Sequence, residues 1–364
     1  MQKNTGRYNI TVLEGDGIGP EIVAEAVKAL YAISENSETK FDFNFKDFGG
    51  AAIDSQGEPY PEDTKRACES ADAILLGAIG GDKWDGVDPS IRPEKGLLNM
   101  RKHIGTYCNL RPIKTFKSTS SLSPLKESII GDGIDFTIVR ELTGGIYFGE
   151  KKTIDSPDSL YAYDMEIYHK HEISRILKTA TEIARKRDNT ITIVDKANVL
   201  ESSKLWRKIS KEVIPEDITV DYMYVDNASM QIIRKPSQFT TMVTSNMFGD
   251  ILSDEASVIT GSIGMLPSAS LGENSKGIYE PIHGSAPDIA GQNIANPVGT
   301  ILSAAMMLKY SFNMDKESTI IETAVENVLD RGIMTIDLSP ENYVSTSEFG
   351  DMVSKEIYSI YKNS

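Results

Sequence analysis

The chain has 364 residues, 40% of them hydrophobic and 25% charged, with a formal net charge of −15. That length supports two domains with sizeable cores, and so acidic a balance argues against binding duplex nucleic acid, which needs a basic footprint. Two cysteines, Cys68 and Cys108, with no CxxC pair, speak against a disulfide scaffold or a cysteine zinc site. No secretory signal and no bilayer-length apolar run is found, so a cytoplasmic protein without membrane attachment is expected.

Tyr8-Asn-Ile-Thr-Val-Leu13 reads as a strand, Glu14-Gly-Asp-Gly-Ile-Gly-Pro20 as a glycine-rich turn, and Ile22, Val23, Ala26, Val27 and Leu30 as the apolar face of a helix. This strand–turn–helix opens an α/β fold. The turn lacks the third glycine of GxGxxG and any GKS or GKT, so a tight structural turn and a ligand cradle remain equal readings. Phe41–Phe45 and Ala73–Leu76 are further strands, and Gly80–Gly86 is a loop. Arg101 and Arg111 flank a helix end and a strand start. Arg140 ends the strand-like run Phe136–Arg140 and is followed by Glu-Leu-Thr-Gly-Gly145. Solvated arginines are one reading, and a multidentate fork for carboxylates is the other. The ends of strands are where open α/β sheets place ligand groups.

Ile146–Phe148 and Leu160–Tyr168 read as strands, and the glycines before Tyr147 clear space beside it. His169 and His171, at i,i+2, face apart on a helix and read as surface residues. An amphipathic helix runs from Ile173 to Lys186. Thr190–Val194 is a strand, with Lys196 at its end, and a helix spans Ser202–Val213. Ile218–Val225 is a strand, after which Asp226 opens a helix, as an N-cap or as a metal ligand. Thr241–Thr244 is a short buried strand. It leads into Phe248-Gly-Asp-Ile-Leu-Ser-Asp-Glu-Ala-Ser-Val-Ile259, which reads as a helix with Asp250 and Asp254 one turn apart on one face. Like charges at that spacing cost a few tenths of a kcal/mol, roughly, in an isolated helix. A divalent cation is the natural compensation, and an exposed acidic face is the other reading. Gly261–Gly272 and Pro281–Gly291 are rich in small residues and turn formers that let backbone approach a ligand. Asp288 could accept from ribose hydroxyls. Val298–Tyr310, Glu317–Leu329 and Ser347–Tyr361 read as helices. A Mg²⁺-dependent phosphohydrolase would also cluster aspartates but has no use for Lys196 with Tyr147. A non-catalytic nucleotide-binding protein would tolerate loss of these groups, and none is lost.

Taken in order, Glu14–Glu21, Gly96–Arg101, Asn109–Pro112, Val139–Tyr147, Asp195–Val199, Val225-Asp226, Asn246–Asp254 and His283–Gly291 resemble the β-decarboxylating dehydrogenases, the isocitrate/isopropylmalate dehydrogenase family. The similarity is strongest to the branch acting on 3-isopropylmalate. It implies a two-domain α/β fold without the standard GxGxxG fingerprint. Residues 1–106 and 262–364 would form a cofactor-binding domain, and 107–261 a domain carrying the dimer interface, the metal and the catalytic residues.

The resemblance also implies roles. Arg101, Arg111 and Arg140 would hold the malate carboxylates. Asp226, Asp250 and Asp254 would coordinate Mg²⁺ or Mn²⁺, with Asp226 and Lys196 supplied by the second subunit of a homodimer. Tyr147 and Lys196 would transfer protons, Lys196 being expected near other cations. Glu94, Leu97, Leu98 and Val199 would surround the substrate's isopropyl group. NAD would be bound by His283, Gly284, Ser285, Ala286, Pro287, Asp288, Ile289 and Asn296, with the loop from Gly81 to Glu94. The implied reaction is oxidative decarboxylation in leucine biosynthesis, with D-malate or tartrate as alternative substrates.

Overall fold

The computed structural model describes residues 6–363. Met1–Thr5, within the stretch read as free of a targeting signal, lie outside the described residues. The chain divides into two units. Unit 1 holds the residues up to Thr106, Phe116–Ser123 and those from Thr260 onward, and unit 2 holds Tyr107–Thr115 and Pro124–Ile259. Phe116–Ser123, in the middle of the chain, thus goes with unit 1.

In unit 1, among the described residues, five strands lie in the order Lys40–Phe45, Arg7–Gly15, Ala73–Ala78, Gly277–Pro281 and Pro267–Leu271. All neighbours are parallel except the last pair. Ile10, Val12 and Leu13 are fully buried, as is Ile22 on the helix Gly19–Asn36, which carries Pro in its first turn. The helix Val298–Tyr310 is apolar all round and buried along nearly its whole length. Strands Pro267–Leu271 and Gly277–Pro281 are not expected from their sequences. PSASL and GIYEP carry Pro, Ser and Gly, which disfavour strands, and both segments are too buried to alternate. Their antiparallel pairing and burial override local preference.

In unit 2 the order is Cys108–Lys114, Asp135–Glu141, Thr241–Thr244, Thr190–Asp195 and Thr219–Tyr224. The first pair is antiparallel and the rest parallel. Parallel strands bring their carboxyl ends to one edge. The register sets Thr244 opposite Arg140, and Asp195 opposite Tyr224. Helices Asn246–Val258 and Val225–Arg234 start just beyond that edge.

Three local expectations are corrected. Ile146–Phe148 is not a strand: Gly145–Tyr147 is a 3-10 turn, entered through Gly145 at φ +75°. A Cβ at Gly144 would come within 2.6 Å of the Tyr168 ring, so glycine is required there for packing as well. Leu160–Tyr168 is a strand only within Ser159–Asp164, where it pairs with Lys151–Ser156. His169 and His171 are exposed as expected but do not face apart. His169 caps the helix Lys170–Arg185 from outside it, and the two rings stack at 5.7 Å. Both cysteines are buried and unbridged. Among the described residues no helix is long and apolar enough to cross a membrane. The expected mixed α/β class is what the two sheets and their helices form.

Candidate active site

The carboxyl edge of the unit 2 sheet gathers five of the residues singled out above. Arg140 leaves its strand nearly buried, and its Nε and Nη2 donate to Asn246 Oδ1 at 3.1 and 2.8 Å. Its Nη1 donates to Asp250. Arg111 donates from Nε to Asn109 Oδ1 at 2.7 Å, and from Nη1 to Ser253 Oγ at 2.6 Å and Asp254 Oδ1 at 3.1 Å. It also lies 3.7 Å from Asp250. Asp250 and Asp254 do share one face of the helix Asn246–Val258. Within this chain, however, their repulsion is offset by two guanidinium groups, so a cation is not needed to explain the pair. Tyr147 completes the group by donating its hydroxyl to Asp250 Oδ2 at 2.7 Å. Burial, and then the bond to Asp250, pushes its pKa up to about 12 and keeps the phenol protonated.

A second pair stands at the ends of the neighbouring strands. Because Asp195 and Tyr224 are level in the sheet, Lys196 and Asp226 meet, with Nζ donating to Oδ1 at 2.5 Å. Within this chain Lys196 therefore has a carboxylate for its partner. Its ammonium holds the Asp226 carboxyl below the ordinary carboxylate range. Asp226 is the second residue of its helix, not the N-cap, which is Tyr224. Val199, beyond Lys196, is 64% exposed. Among the described residues no group of three or more His, Cys, Asp or Glu side chains is placed to hold a metal ion within one chain. Asp250 and Asp254 still fit a hard cation. Both are oxygen donors on one helix face, and the Asp254 side chain is 65% exposed.

Unit 1 carries the remaining residues. Arg101 sits in the last turn of the helix Pro93–Ile104 and donates to Glu280 Oε1 at 2.7 Å. Leu97 and Leu98 are half-buried one turn earlier, and Glu94 is exposed at the start of that helix. A cavity of about 400 Å³ is lined by His283, Gly284, Ala286, Ile289 and Asn296, together with Ile18 and Asp337. His283 Nε2 is shut off from solvent with no hydrogen-bond partner, and burial lowers the imidazole pKa. An orphaned ring nitrogen at a cavity this size suits a bound polar ligand such as a nicotinamide cofactor. Gly81, Glu94, Ser285, Pro287 and Asp288 are not among its lining. Ser285 is buried and donates to Gly80 O, whereas Pro287 and Asp288 are exposed.

The structure also decides what the glycine-rich turn does. Asp16 accepts from the amides of Gly50, Ala51 and Gly80 at 2.7–2.8 Å. Gly17, at φ +57°, passes so close to Ser285 that a Cβ would lie 2.1 Å from its carbonyl oxygen. The turn is thus a structural junction that holds the His283–Ile289 loop and the Gly80 loop, and its Ile18 also lines the cavity. Sequence reasoning assigned no role to Asn246, Ser253, Glu280 or Asp337. Only Asn246 left a signal, as a polar residue at a strand-to-helix junction.

Residues 9–353 match the sequence model of the family described as isocitrate/isopropylmalate dehydrogenase. The chain belongs to that family. It is 53% identical over 354 residues to a 3-isopropylmalate dehydrogenase of Clostridium acetobutylicum, covering 96% of this chain and 99% of the relative. It is 54% identical over 359 residues to one of Carboxydothermus hydrogenoformans, covering 97% and 95%. Among solved structures it is similar to the isocitrate dehydrogenase of Methylococcus capsulatus, with TM-score 0.86 and 31% identity over 96% of this chain and 99% of that one. It is also similar to a β-decarboxylating dehydrogenase of Thermococcus kodakarensis, with TM-score 0.81 and 34% identity over 98% and 97%. A member of this family is an oxidoreductase, a β-decarboxylating dehydrogenase.

Proposed function

We propose that this chain oxidises and decarboxylates 3-isopropylmalate to 4-methyl-2-oxopentanoate, with NAD as acceptor and Mg²⁺ or Mn²⁺ bound, in cytoplasmic leucine biosynthesis. The observation that carries the reading is identity above one half, over nearly the whole chain, to relatives named for that substrate. In this reading Arg101, Arg111 and Arg140 bind the two carboxylates, and Lys196 takes the C2 hydroxyl proton. A cation held by Asp250 and Asp254 would supply Lewis acidity, and NAD would supply the hydride acceptor. After CO₂ leaves, the Tyr147 phenol delivers a proton to C3. The cavity lined by His283, Gly284, Ala286 and Ile289 would receive part of the cofactor.

A homodimer belongs to the same reading. Lys196 and Asp226 pair with each other, whereas Asp250 and Asp254 pair with Arg111, so one chain brings two of the three metal-binding aspartates together. Asp226 and Lys196 of a second copy would complete the set. Ile251 and Val258, at i,i+7 on the helix Asn246–Val258, are 60% and 61% exposed, and Met230 on the helix Val225–Arg234 is 54% exposed. Such an apolar surface is what a two-fold interface would cover.

The substrate prediction follows from Leu97 and Leu98. These side chains offer no donor to a third carboxylate, and burying one unpaired against them costs several kcal/mol, roughly. An isopropyl group gains about 0.8 kcal/mol per buried methylene-sized group. Steady-state assays with Mn²⁺ and NAD are expected to show efficient turnover of 3-isopropylmalate. At about 0.8 kcal/mol for each of the three missing carbons, D-malate should fall behind only modestly, by about 60-fold, and isocitrate should be almost inert. Leu97→Ser with Leu98→Ala should lower efficiency on isopropylmalate far more than on D-malate. Isocitrate turning over as well as isopropylmalate would overturn the substrate assignment and leave the reaction class standing.

The cofactor prediction rests on Asp288 next to Ile289. A carboxylate suits ribose hydroxyls and repels a 2′-phosphate. NAD is expected to exceed NADP in kcat/KM, and Asp288→Arg should narrow the gap. A native preference for NADP would refute the assignment.

A further inference from the structure

Next to Arg140 in sequence lies Glu141, a carboxylate with no exposed surface. Burying a carboxylate costs several kcal/mol, roughly, unless donors surround it. Here the donors are local. The Thr143 amide donates at 2.9 Å to Oε1, the Thr143 hydroxyl at 2.6 Å to the same atom, and the Gly144 amide at 2.7 Å to Oε2. The Arg175 guanidinium stands 3.8 Å from Oε1, bonds the Thr143 hydroxyl and stacks on the Tyr107 ring. These bonds fold the chain back on the strand end immediately before the Gly145–Tyr147 turn. On the other side of the same segment, Asn246 Nδ2 donates to Gly144 O at 3.2 Å, and the Gly145 amide donates to Ile167 O at 2.9 Å. The segment that delivers Tyr147 is therefore held from both sides, and the Tyr147 hydroxyl reaches Asp250 from it.

We infer that Glu141 is a positioning residue for Tyr147: its buried carboxylate, by taking the Thr143 and Gly144 amides, fixes the turn that sets the phenol at its working place. This rests on the reading of Tyr147 as the proton donor. Glu141 touches neither Tyr147 nor a substrate group, so its effect passes through the turn. A carboxamide at this position is isosteric but turns one acceptor into a donor facing a backbone amide, which loosens the loop while leaving the strand intact.

A double-mutant cycle tests this. Glu141→Gln is expected to lower kcat by about 10-fold with KM for 3-isopropylmalate changed by less than about 3-fold, the pattern of a misplaced proton donor. The same substitution in a Tyr147→Phe background is expected to change kcat by less than about 2-fold, because the group it positions is gone. Equal fold-losses in both backgrounds, or no loss in the single variant, would overturn the inference. Full activity in Tyr147→Phe alone would instead remove the reading it rests on. If Glu141→Gln does not fold, Thr143→Val takes its place. That variant keeps the amide and deletes the hydroxyl shared by Glu141 and Arg175. It should lower kcat by about 3-fold in the native background and be silent beside Tyr147→Phe, and equal losses would again refute the role.

Discussion

Lys196→Met and Tyr147→Phe are each expected to cut turnover by on the order of 10²–10⁴, the usual size of an acid–base contribution. The structure separates the two lesions. Tyr147→Phe keeps the ring that faces the Arg140 guanidinium at 5.8 Å and removes only the hydroxyl that bonds Asp250. Its loss should fall on protonation at C3 more than on hydride transfer, so reduction of the cofactor in a single turnover should outpace formation of the final 2-oxo acid. Lys196→Met removes the partner of Asp226 and should slow hydride transfer itself, because the C2 proton has nowhere to go. Stopped-flow absorbance of reduced cofactor, set against quenched-flow product analysis, distinguishes them. Near-normal turnover in both variants would sink the catalytic assignment. Mixing the two inactive proteins tests the sharing of sites. If Lys196 serves the Tyr147 of the other subunit, each mixed dimer has one site with both lesions and one with neither, so about a quarter of all sites recover on random exchange. If each chain is self-sufficient, mixing restores nothing.

The second large effect is expected at Asp250. This carboxylate accepts from Arg140 and from the Tyr147 hydroxyl and lies 3.7 Å from Arg111. As a proposed metal ligand it should be worth more than an outer-shell partner, whose loss costs about 10–100-fold. Asp250→Asn is therefore expected to lower turnover by more than about 100-fold at fixed Mn²⁺ and to raise the metal concentration needed for half-maximal rate. A thermal readout checks metal binding without turnover. Mn²⁺ should raise the melting temperature of the native protein by mass action and leave that of the variant nearly unmoved. Chelator-treated native protein that keeps full activity would end the metal assignment. The variant also removes the carboxylate charge that faces the buried Arg140 guanidinium, so a lower melting temperature in the absence of metal is expected as well.

Much of this protein was legible without coordinates. Thr241–Thr244 and Val298–Tyr310 form as the sequence reading bounds them, because continuous apolar runs between turn formers report directly on local structure. The i,i+4 placement of Asp250 and Asp254 needed only helix geometry. The ordered set of motifs was enough to resemble the family. Expectations failed where burial or long-range pairing outweighs local preference. PSASL and GIYEP become strands because each finds the other, and Gly145–Tyr147 becomes a turn entered through the left-handed backbone of Gly145, where Tyr168 leaves no room for a side chain. What neutralises the aspartate pair could not be read either. Arg140 and Asp250 are 110 residues apart, and Arg111 and Asp254 are 143. Lys196 meets Asp226 only because parallel register sets Asp195 level with Tyr224. Periodicity and spacing describe what a residue does within its own helix or strand. Which charge faces which across a sheet edge is set by register and topology, and only the folded chain supplies those.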